Sequence, residues 1–361
     1  MSDKKPTVLV AVSGGVDSSV VAAMLAEQGY PIIGVMMHLW SEAGKECQNK
    51  CCTPQSMEEA RKSAQTIGYP FHVIDAAEIF RERIVQYFLE GYGQGKTPNP
   101  CVICNKDIKW GLLFDKVQEF GAEYLATGHY VRLEKSGDEK IKVFRAKDLQ
   151  KDQSYVMCML QQTQLEKTLF PLGNYLKTEV RDLARSYGLP MAEKKDSQDL
   201  CFVSDDSYRE FLLRNAPEVA VPGSIMDRFG NKLGEHQGLA FYTIGQRKRI
   251  GIAAAEPLYV LEKNSKENIL VVGSAGDLVQ KSILVKDVNW ISGEIPEKSI
   301  EANVKIRYKA DFQNATVIPI TNHKYKIECN KPVRDATPGQ FAVFYDGDEL
   351  LGGGEIEKSI Q

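Results

Sequence analysis

The sequence predicts an α/β chain: a doubly wound, mostly parallel sheet, then a small central domain and a C-terminal β-barrel. Three observations carry this. Apolar, β-branched runs alternate with helix-period segments through the first half, the pattern of a parallel sheet wrapped by helices. Beyond about residue 205 the helical signal is brief, and a Gly-rich, strand-like region runs to about residue 272. After Lys281 short alternating strands dominate, at a spacing that suits a small barrel or sandwich. The expected domains are 1–206, 207–277 and 278–361, in line with 361 residues at about 150 per domain.

The elements follow in order. Thr7–Val12 is a first strand, ending in a Gly turn and a helix from about Ser18 to Gln28. Ile32–Leu39 is a second strand. Ser56-Met57-Glu58-Glu59 has capping-box spacing and opens a helix to about Ile67. Phe71–Ile74 is a third strand, and Ile79, Phe80, Ile84, Tyr87 and Phe88 keep helical period on one face. A loop over Gly95–Asn105 precedes a helix through Phe114 and Val117 and a strand at Tyr124–Thr127. A hairpin around Ser136-Gly137-Asp138, helices at Tyr155–Leu160 and Thr178–Tyr187, and a loop over Asp196–Val203 complete the first domain. A short helix at Tyr208–Leu213 opens the second. In the third, Val304, Ile306 and Tyr308 face one way and Lys305, Arg307 and Lys309 the other. Thr316–Ile320, Lys324–Cys329 and Phe341–Tyr345 follow, with Asp346-Gly347 as a hairpin signal. Pro319 donates no ladder hydrogen bond, so its strand is expected at an edge.

Composition narrows the partners. With 45 Lys+Arg against 48 Asp+Glu the formal charge is −3, which excludes a uniformly basic nucleic-acid coat but not a local basic stripe. No run approaches the ~18 apolar residues of a membrane span. The apolar run after the opening MSDKKP is too short for a signal peptide and is broken by Ser13-Gly14-Gly15. A cytosolic protein without a membrane partner is expected. In such a reducing compartment the eight cysteines, at 47, 51, 52, 101, 104, 158, 201 and 329, are not a disulfide framework.

Ser13-Gly14-Gly15-Val16-Asp17-Ser18-Ser19 joins the first strand to the first helix. Backbone N–H groups of a Gly turn at a helix N-terminus form a cradle for phosphate. The hydroxyls of Ser13, Ser18 and Ser19 add donors, and Asp17 is a candidate magnesium ligand. The plainer alternative is a tight strand–helix turn that uses Gly for backbone freedom. No lysine follows, so this is not the Walker loop, and the dinucleotide Gly pattern is absent. The segment resembles the Ser-Gly-Gly-x-Asp-Ser signature of the PP-loop ATP pyrophosphatases. That resemblance implies an adenine-nucleotide-binding domain that cleaves ATP between the α and β phosphates and adenylates an acceptor oxygen. It implies nucleotide contacts at Ala11, Val12, Ser13, Gly14, Gly15, Val16, Asp17 and Ser18.

Thr97-Pro98-Asn99-Pro100-Cys101-Val102-Ile103-Cys104-Asn105 is a proline-pinned loop with a Cys-x-x-Cys pair, a spacing that serves metal binding or redox chemistry. No second pair completes four zinc ligands. Cys47, Cys51 and Cys52 form another possible cluster, though adjacent cysteines fit one tetrahedral ion poorly. Cys158 and Cys329 read as core residues.

Taken with the Gly loop, the chain resembles the bacterial tRNA-specific 2-thiouridylases along essentially its whole length. The matching segments include Thr97–Lys109, Ala126-Thr127-Gly128-His129-Tyr130, Lys151-Asp152-Gln153-Ser154-Tyr155, Lys195–Phe202, Gly234–Lys248, Thr337–Phe341 and Leu351-Gly352-Gly353-Gly354. The resemblance implies ATP-dependent 2-thiolation of the wobble uridine in the tRNAs for Lys, Glu and Gln, by adenylation of C2 oxygen and its replacement with sulfur. Cys201 would hold the persulfide and Cys104 would be its partner, leaving a disulfide. Lys106, Lys109, Lys194 and Lys195 are cationic candidates near these thiols. A cysteine desulfurase or relay protein must supply the sulfur, and oligomeric state is left open.

Well-studied members of that family carry an Asp three residues before the first catalytic cysteine, where this chain has Cys101. Cys101, Cys104 and Cys201 then make a three-thiol set, like that of related tRNA thiolases that hold a [4Fe–4S] cluster. Both the cluster and the persulfide–disulfide route are open at this level.

The same resemblance implies that Met37 and Gly128 border the adenosine. It assigns Asn99, Pro100 and Cys101 to the target uridine, and His129, Lys151, Asp152, Gln153, Arg307, Tyr308 and Gln340 to tRNA. Two basic stretches support an RNA partner: Arg247, Lys248 and Arg249, and a net positive run over 302–334. A PP-loop enzyme acting on a small metabolite would need neither the three thiols nor the basic barrel. A non-catalytic RNA-binding protein would not need Ser13–Ser19 with Cys104 and Cys201.

Overall fold

A computed structural model describes residues 5–45, 53–137, 139–194, 200–203, 207–321 and 323–360. In chain order the first part holds β1 (Val8–Ala11), α1 (Val16–Glu27), β2 (Ile32–His38), α2 (Pro54–Ile67) and β3 (Phe71–Asp75). A continuous helix α3 (77–93) and another, α4 (100–119), lead to β4 (Tyr124–Ala126). The hairpin β5 (Val131–Lys135) and β6 (Ile141–Arg145), the short β7 (Thr168–Leu169) and α5 (Lys177–Ser186) follow. Strands β3-β2-β1-β4-β7 form one parallel sheet in that order. The strand order reverses between β1 and β4, which opens the crevice where α/β sheets take ligands, beyond the C-terminal strand ends.

Local differences from the sequence reading have local causes. Helix α2 starts before the expected capping box: Thr53 accepts the Ser56 N–H at 3.0 Å and Pro54 takes the first turn, a stronger start signal. The expected helix at Tyr155–Leu160 is only a 3-10 turn at Ser154–Met157, because the Asp152 carboxylate takes the Ser154 N–H and hydroxyl. The loop expected over Gly95–Asn105 gives way to α4 at Pro100, and Cys104–Leu113 within α4 is wound as π-helix, a form frequent at functional sites.

The central part has α6 (Tyr208–Asn215) and a four-stranded sheet of β8 (Gly223–Asp227), β9 (Lys232–His236), β10 (Tyr259–Asn264) and β11 (Ile269–Gly273). The last part comprises β12 (Gln280–Trp290), β13 (Ile300–Lys305), β14 (Gln313–Thr321), β15 (Lys324–Val333), β16 (Phe341–Asp346) and β17 (Glu349–Ile360). In the order β12-β15-β14-β13-β16-β17, with β12 pairing back on β17, these six antiparallel strands close a barrel. Closure corrects the expectation for Pro319. Its strand β14 lies between β13 and β15, and the proline is tolerated because the register shifts at a bulge between Pro319 and Thr321. The strand expected through Lys309 ends at Lys305.

The barrel is not a loose appendage. Hairpin β5–β6 adds to the barrel sheet through β17, pairing Phe144 with Glu349 and Val143 with Leu350. Trp110 and Tyr155 of the first domain share one apolar cluster with Phe341, Val343 and Tyr345 of the barrel, all at most 2% exposed. Separating the two would expose them, at roughly 1.5–3 kcal/mol per large side chain. No helix among the described residues is long and apolar enough to cross a membrane.

Candidate active site at the sheet switch point

The loop after β1 and the turn after β4 meet across the crevice. Gly14 sits at φ +70°, and a Cβ there would lie 2.1 Å from the Ser56 carbonyl oxygen, so the first turn of α2 can pack on it only if it is glycine. A Cβ on Gly128 would stand 2.9 Å from the Ser18 nitrogen, which places the β4 turn directly on the start of α1. Ser13 N–H donates to Ser18 Oγ at 3.1 Å, and the two hydroxyls are 3.2 Å apart. No side chain caps α1 at Gly15, leaving its first N–H groups for a ligand. Ser19 is fully buried and its hydroxyl has no hydrogen-bond partner. Uncapped N–H groups, paired hydroxyls and an orphaned hydroxyl fit a nucleotide's phosphates.

Asp17 shows what sequence reading missed. Lys177 at the start of α5 donates to both its carboxylate oxygens, at 2.7 and 2.8 Å, and Tyr130 donates its hydroxyl to Oδ1 at 2.8 Å. The Lys177 N–H is itself fixed by Asp148 at 2.9 Å. Lys194 donates to the Gly14 carbonyl at 3.2 Å and pairs with Glu59. The loop lacks its own lysine, yet two ammonium groups from distant segments stand on it. No local signal singles out Lys177 among the charged residues of an amphipathic helix.

Asn99 accepts the Val102 N–H at 3.4 Å and, with Pro100, starts α4. Cys101 in its first turn is exposed, and Cys104, one turn on, is half-buried. Cys104, Cys201 and Met37 all pack against one apolar cluster that includes Phe80, Phe88, Ile108 and Phe202. Cys101 stands close enough to Tyr308 that its charge, after burial and Asp152, raises the Tyr308 phenol pKa. Burial pushes the Cys158 thiol well up and that of Cys329 to about 11, as for inert core thiols. Cys47, Cys51, Cys52 and Lys195, together with the Asp196–Asp199 part of the expected loop, lie outside the described residues.

Among the described residues no three His, Cys, Asp or Glu side chains come close enough to hold a metal ion. Cys101, Cys104 and Cys201 as placed therefore form no preassembled site for a single metal ion. Asp17 is one carboxylate already matched by an ammonium, so a magnesium ion there would rely on phosphate oxygens for most of its ligands.

The expected RNA-contacting residues divide. His129, expected at tRNA, is buried: its Nε2 accepts from Lys109 at 3.0 Å and its Nδ1–H donates to Thr127 Oγ1 at 2.7 Å. Burial, and then the Lys109 charge, hold its pKa well below the usual range, so the ring is neutral. Asp152 is also interior, accepting from Ala146, Ser154 N–H and Ser154 Oγ. Gln153 accepts the Tyr130 N–H at 3.0 Å. Gln340 donates to the Thr97 carbonyl at 2.8 Å, and Tyr308 to the Asp152 carbonyl at 2.8 Å. These residues brace the seam between α4, the 151–153 turn and the barrel. Lys151 is half-buried and Arg307 is exposed, within 3.5 Å of Asp335. The basic run over 302–334 is partly neutralised, Lys324 by Glu357 and Lys326 by Glu328. Arg247, Lys248 and Arg249 are all exposed.

A parallel sheet whose switch point carries the Gly loop, joined to a closed barrel and a thiol-bearing helix, defines a PP-loop nucleotide-binding enzyme with appended β domains. Family models match the chain as a "tRNA methyl transferase HUP domain" over 6–205, a "tRNA methyl transferase PRC-barrel domain" over 209–274 and an "Aminomethyltransferase beta-barrel domain" over 280–356. The tRNA-specific 2-thiouridylase MnmA of Carboxydothermus hydrogenoformans is 45% identical over 358 residues, 98% of each chain. The tRNA-specific 2-thiouridylase MnmA 1 of Caldanaerobacter subterraneus is 43% identical over 358 residues, again 98% of each. The chain belongs to the tRNA-specific 2-thiouridylase family. A 4-thiouridine synthetase solved with RNA and ATP is similar over 59% of this chain and 51% of its own, at 17% identity and a TM-score of 0.32, too low to add to the assignment.

Proposed function

We propose that this protein thiolates tRNA: it adenylates the C2 oxygen of the wobble uridine in the tRNAs for Lys, Glu and Gln and replaces that oxygen with sulfur. The observation that carries the reading is the convergence of two chemistries. A phosphate cradle lies at the β1–β4 switch point, and Met37 on β2 packs on the same apolar cluster as Cys104 and Cys201. The 2-thiouridylase name of relatives over 40% identical supplies the substrate class.

In this reading Ser13–Ser18 and Gly128 hold ATP, and Lys177 and Lys194 balance phosphate charge as pyrophosphate leaves. Magnesium arriving with ATP would be held by its phosphates and Asp17 and would supply further charge neutralisation. The uridine O2 displaces pyrophosphate from the α-phosphate. Cys201 carries the sulfane sulfur as Cys–S–SH. The terminal sulfur attacks C2, AMP departs with the oxygen, and Cys104 takes the S–S bond, so that a Cys104–Cys201 disulfide balances the two electrons. This route needs only the Cys104 and Cys201 thiols, and no step runs through a cluster. A cysteine desulfurase or relay protein loads Cys201 in a cytosolic setting, where such thiols stay reduced.

The test is mass spectrometry of tRNA after reaction with ATP and a persulfide donor, alongside a pyrophosphate assay. Pyrophosphate release that depends on tRNA, with 2-thiouridine appearing only when Cys104 and Cys201 are intact, is expected. Release driven by a small acid or amide instead, with no modified tRNA, sinks the reading.

A further inference from the structure

The mechanism above leaves Cys101 without a task. Cys101 and Cys104 lie three residues apart at the start of α4, the first exposed and the second half-buried. Side chains so spaced on a helix face one another with Cβ atoms about 5–6 Å apart, not far from the ~3.5–4.5 Å of a disulfide. Cys104 thus shares a helical turn with Cys101 and an apolar cluster with Cys201. A disulfide between two half-buried sulfurs meets a bulky reductant poorly, whereas an exposed sulfur meets it well.

We propose that Cys101 resolves the Cys104–Cys201 disulfide after each round of sulfur transfer, an inference that rests on the thiolation reading. The Cys101 thiolate, its proton lost to solvent, attacks Cys104 Sγ. The Cys101–Cys104 bond forms, the Cys104–Cys201 bond breaks, and the electron pair leaves on Cys201. One disulfide replaces another, so no outside oxidant or reductant enters this step. Cys201 is returned as the thiolate that accepts the next sulfane sulfur. A dithiol reductant then attacks the exposed Cys101 sulfur, is itself oxidised to a disulfide, and restores both thiols of the pair. The chain so converts a half-buried oxidised product into an exposed one.

The experiment uses full-length, chelator-treated protein given tRNA, ATP and a persulfide donor for a single turnover without reductant. The reaction is quenched with N-ethylmaleimide and mapped by non-reducing peptide mass spectrometry. Wild type should show the Cys101–Cys104 disulfide with Cys201 alkylated, and should accept a second sulfur on Cys201. Cys101→Ser and Cys101→Ala should be trapped as Cys104–Cys201 and refuse it. A wild type that stays Cys104–Cys201, with Cys101 alkylated, overturns the proposal. If no thiouridine forms at all, the thiolation reading is what fails. The exchange is then judged on diamide-oxidised protein: Cys101–Cys104 with alkylated Cys201 upholds it, and a persistent Cys104–Cys201 bond refutes it.

Discussion

Lys177 sets its ammonium 2.7 and 2.8 Å from the two oxygens of Asp17, across 160 residues of chain. The Lys177 side chain is 10% exposed and that of Asp17 32%. Removing one partner of a buried pair strands the other charge, at about 3–5 kcal/mol, and the part-exposed Asp17 puts this pair at the low end. Lys177→Met should therefore lower stability in urea unfolding and raise the KM for ATP. Asp17→Asn combined with it should recover part of the stability but none of the ATP binding. If Lys177→Met leaves the KM for ATP unchanged, the lysine is structural only.

His129 offers a pH test. Its folded-state pKa is depressed by burial and by Lys109, so the unfolded chain binds a proton that the folded chain refuses. The stability involved is present above the unfolded value of ~6.5 and is lost as pH falls below it, at up to ~1.4 kcal/mol per pH unit. His236, also depressed by burial, adds in the same direction. Urea melts between pH 7 and 5 should show this slope, and His129→Asn should flatten it. An unchanged slope in the variant would assign the acid sensitivity elsewhere.

The Gly loop was legible because its own pattern is contiguous: Gly14 turns at φ +70°, and Ser13 and Ser18 bond within five residues. The strand and helix alternation was legible for the same reason. What escaped were properties set by distant chain. Lys177 is interior only because α5 packs on α1, and His129 is interior only because Lys109 and Trp110 of α4 cover it. Pro319 looked like an edge residue because closure of β12 on β17 is not written near it. Asp152 and Gln340 were expected at tRNA, yet they bond within the fold, to Ala146 and Ser154 for one and to Thr97 for the other.

The seam residues yield a third expectation. Tyr308 Oη donates to the Asp152 carbonyl, and Gln340 to the Thr97 carbonyl just before α4. Each such bond contributes about 0.5–1.5 kcal/mol. Tyr308→Phe and Gln340→Ala should each cost that much in thermal or urea unfolding of the free protein. A residue that served only RNA contact would leave the free protein's stability untouched. Hydrogen exchange of the Thr97–Cys104 amides, faster in Gln340→Ala, would locate the effect at the start of α4.

The exposed basic turn gives the last expectation. Arg247, Lys248 and Arg249 stand out in solvent, whereas Arg307 lies within 3.5 Å of Asp335. Each cation that meets a phosphate releases counterions, steepening log K against log salt by about 0.7–0.9. Converting the three residues to alanine should weaken tRNA binding and flatten the slope by up to about 2–3, if all three meet phosphates. Arg307→Ala alone should have a smaller effect, because the arginine gives up its carboxylate partner to bind RNA. Fluorescence anisotropy across a potassium chloride series measures both. Equal slopes for wild type and the triple variant would move the RNA path away from this turn and onto the barrel.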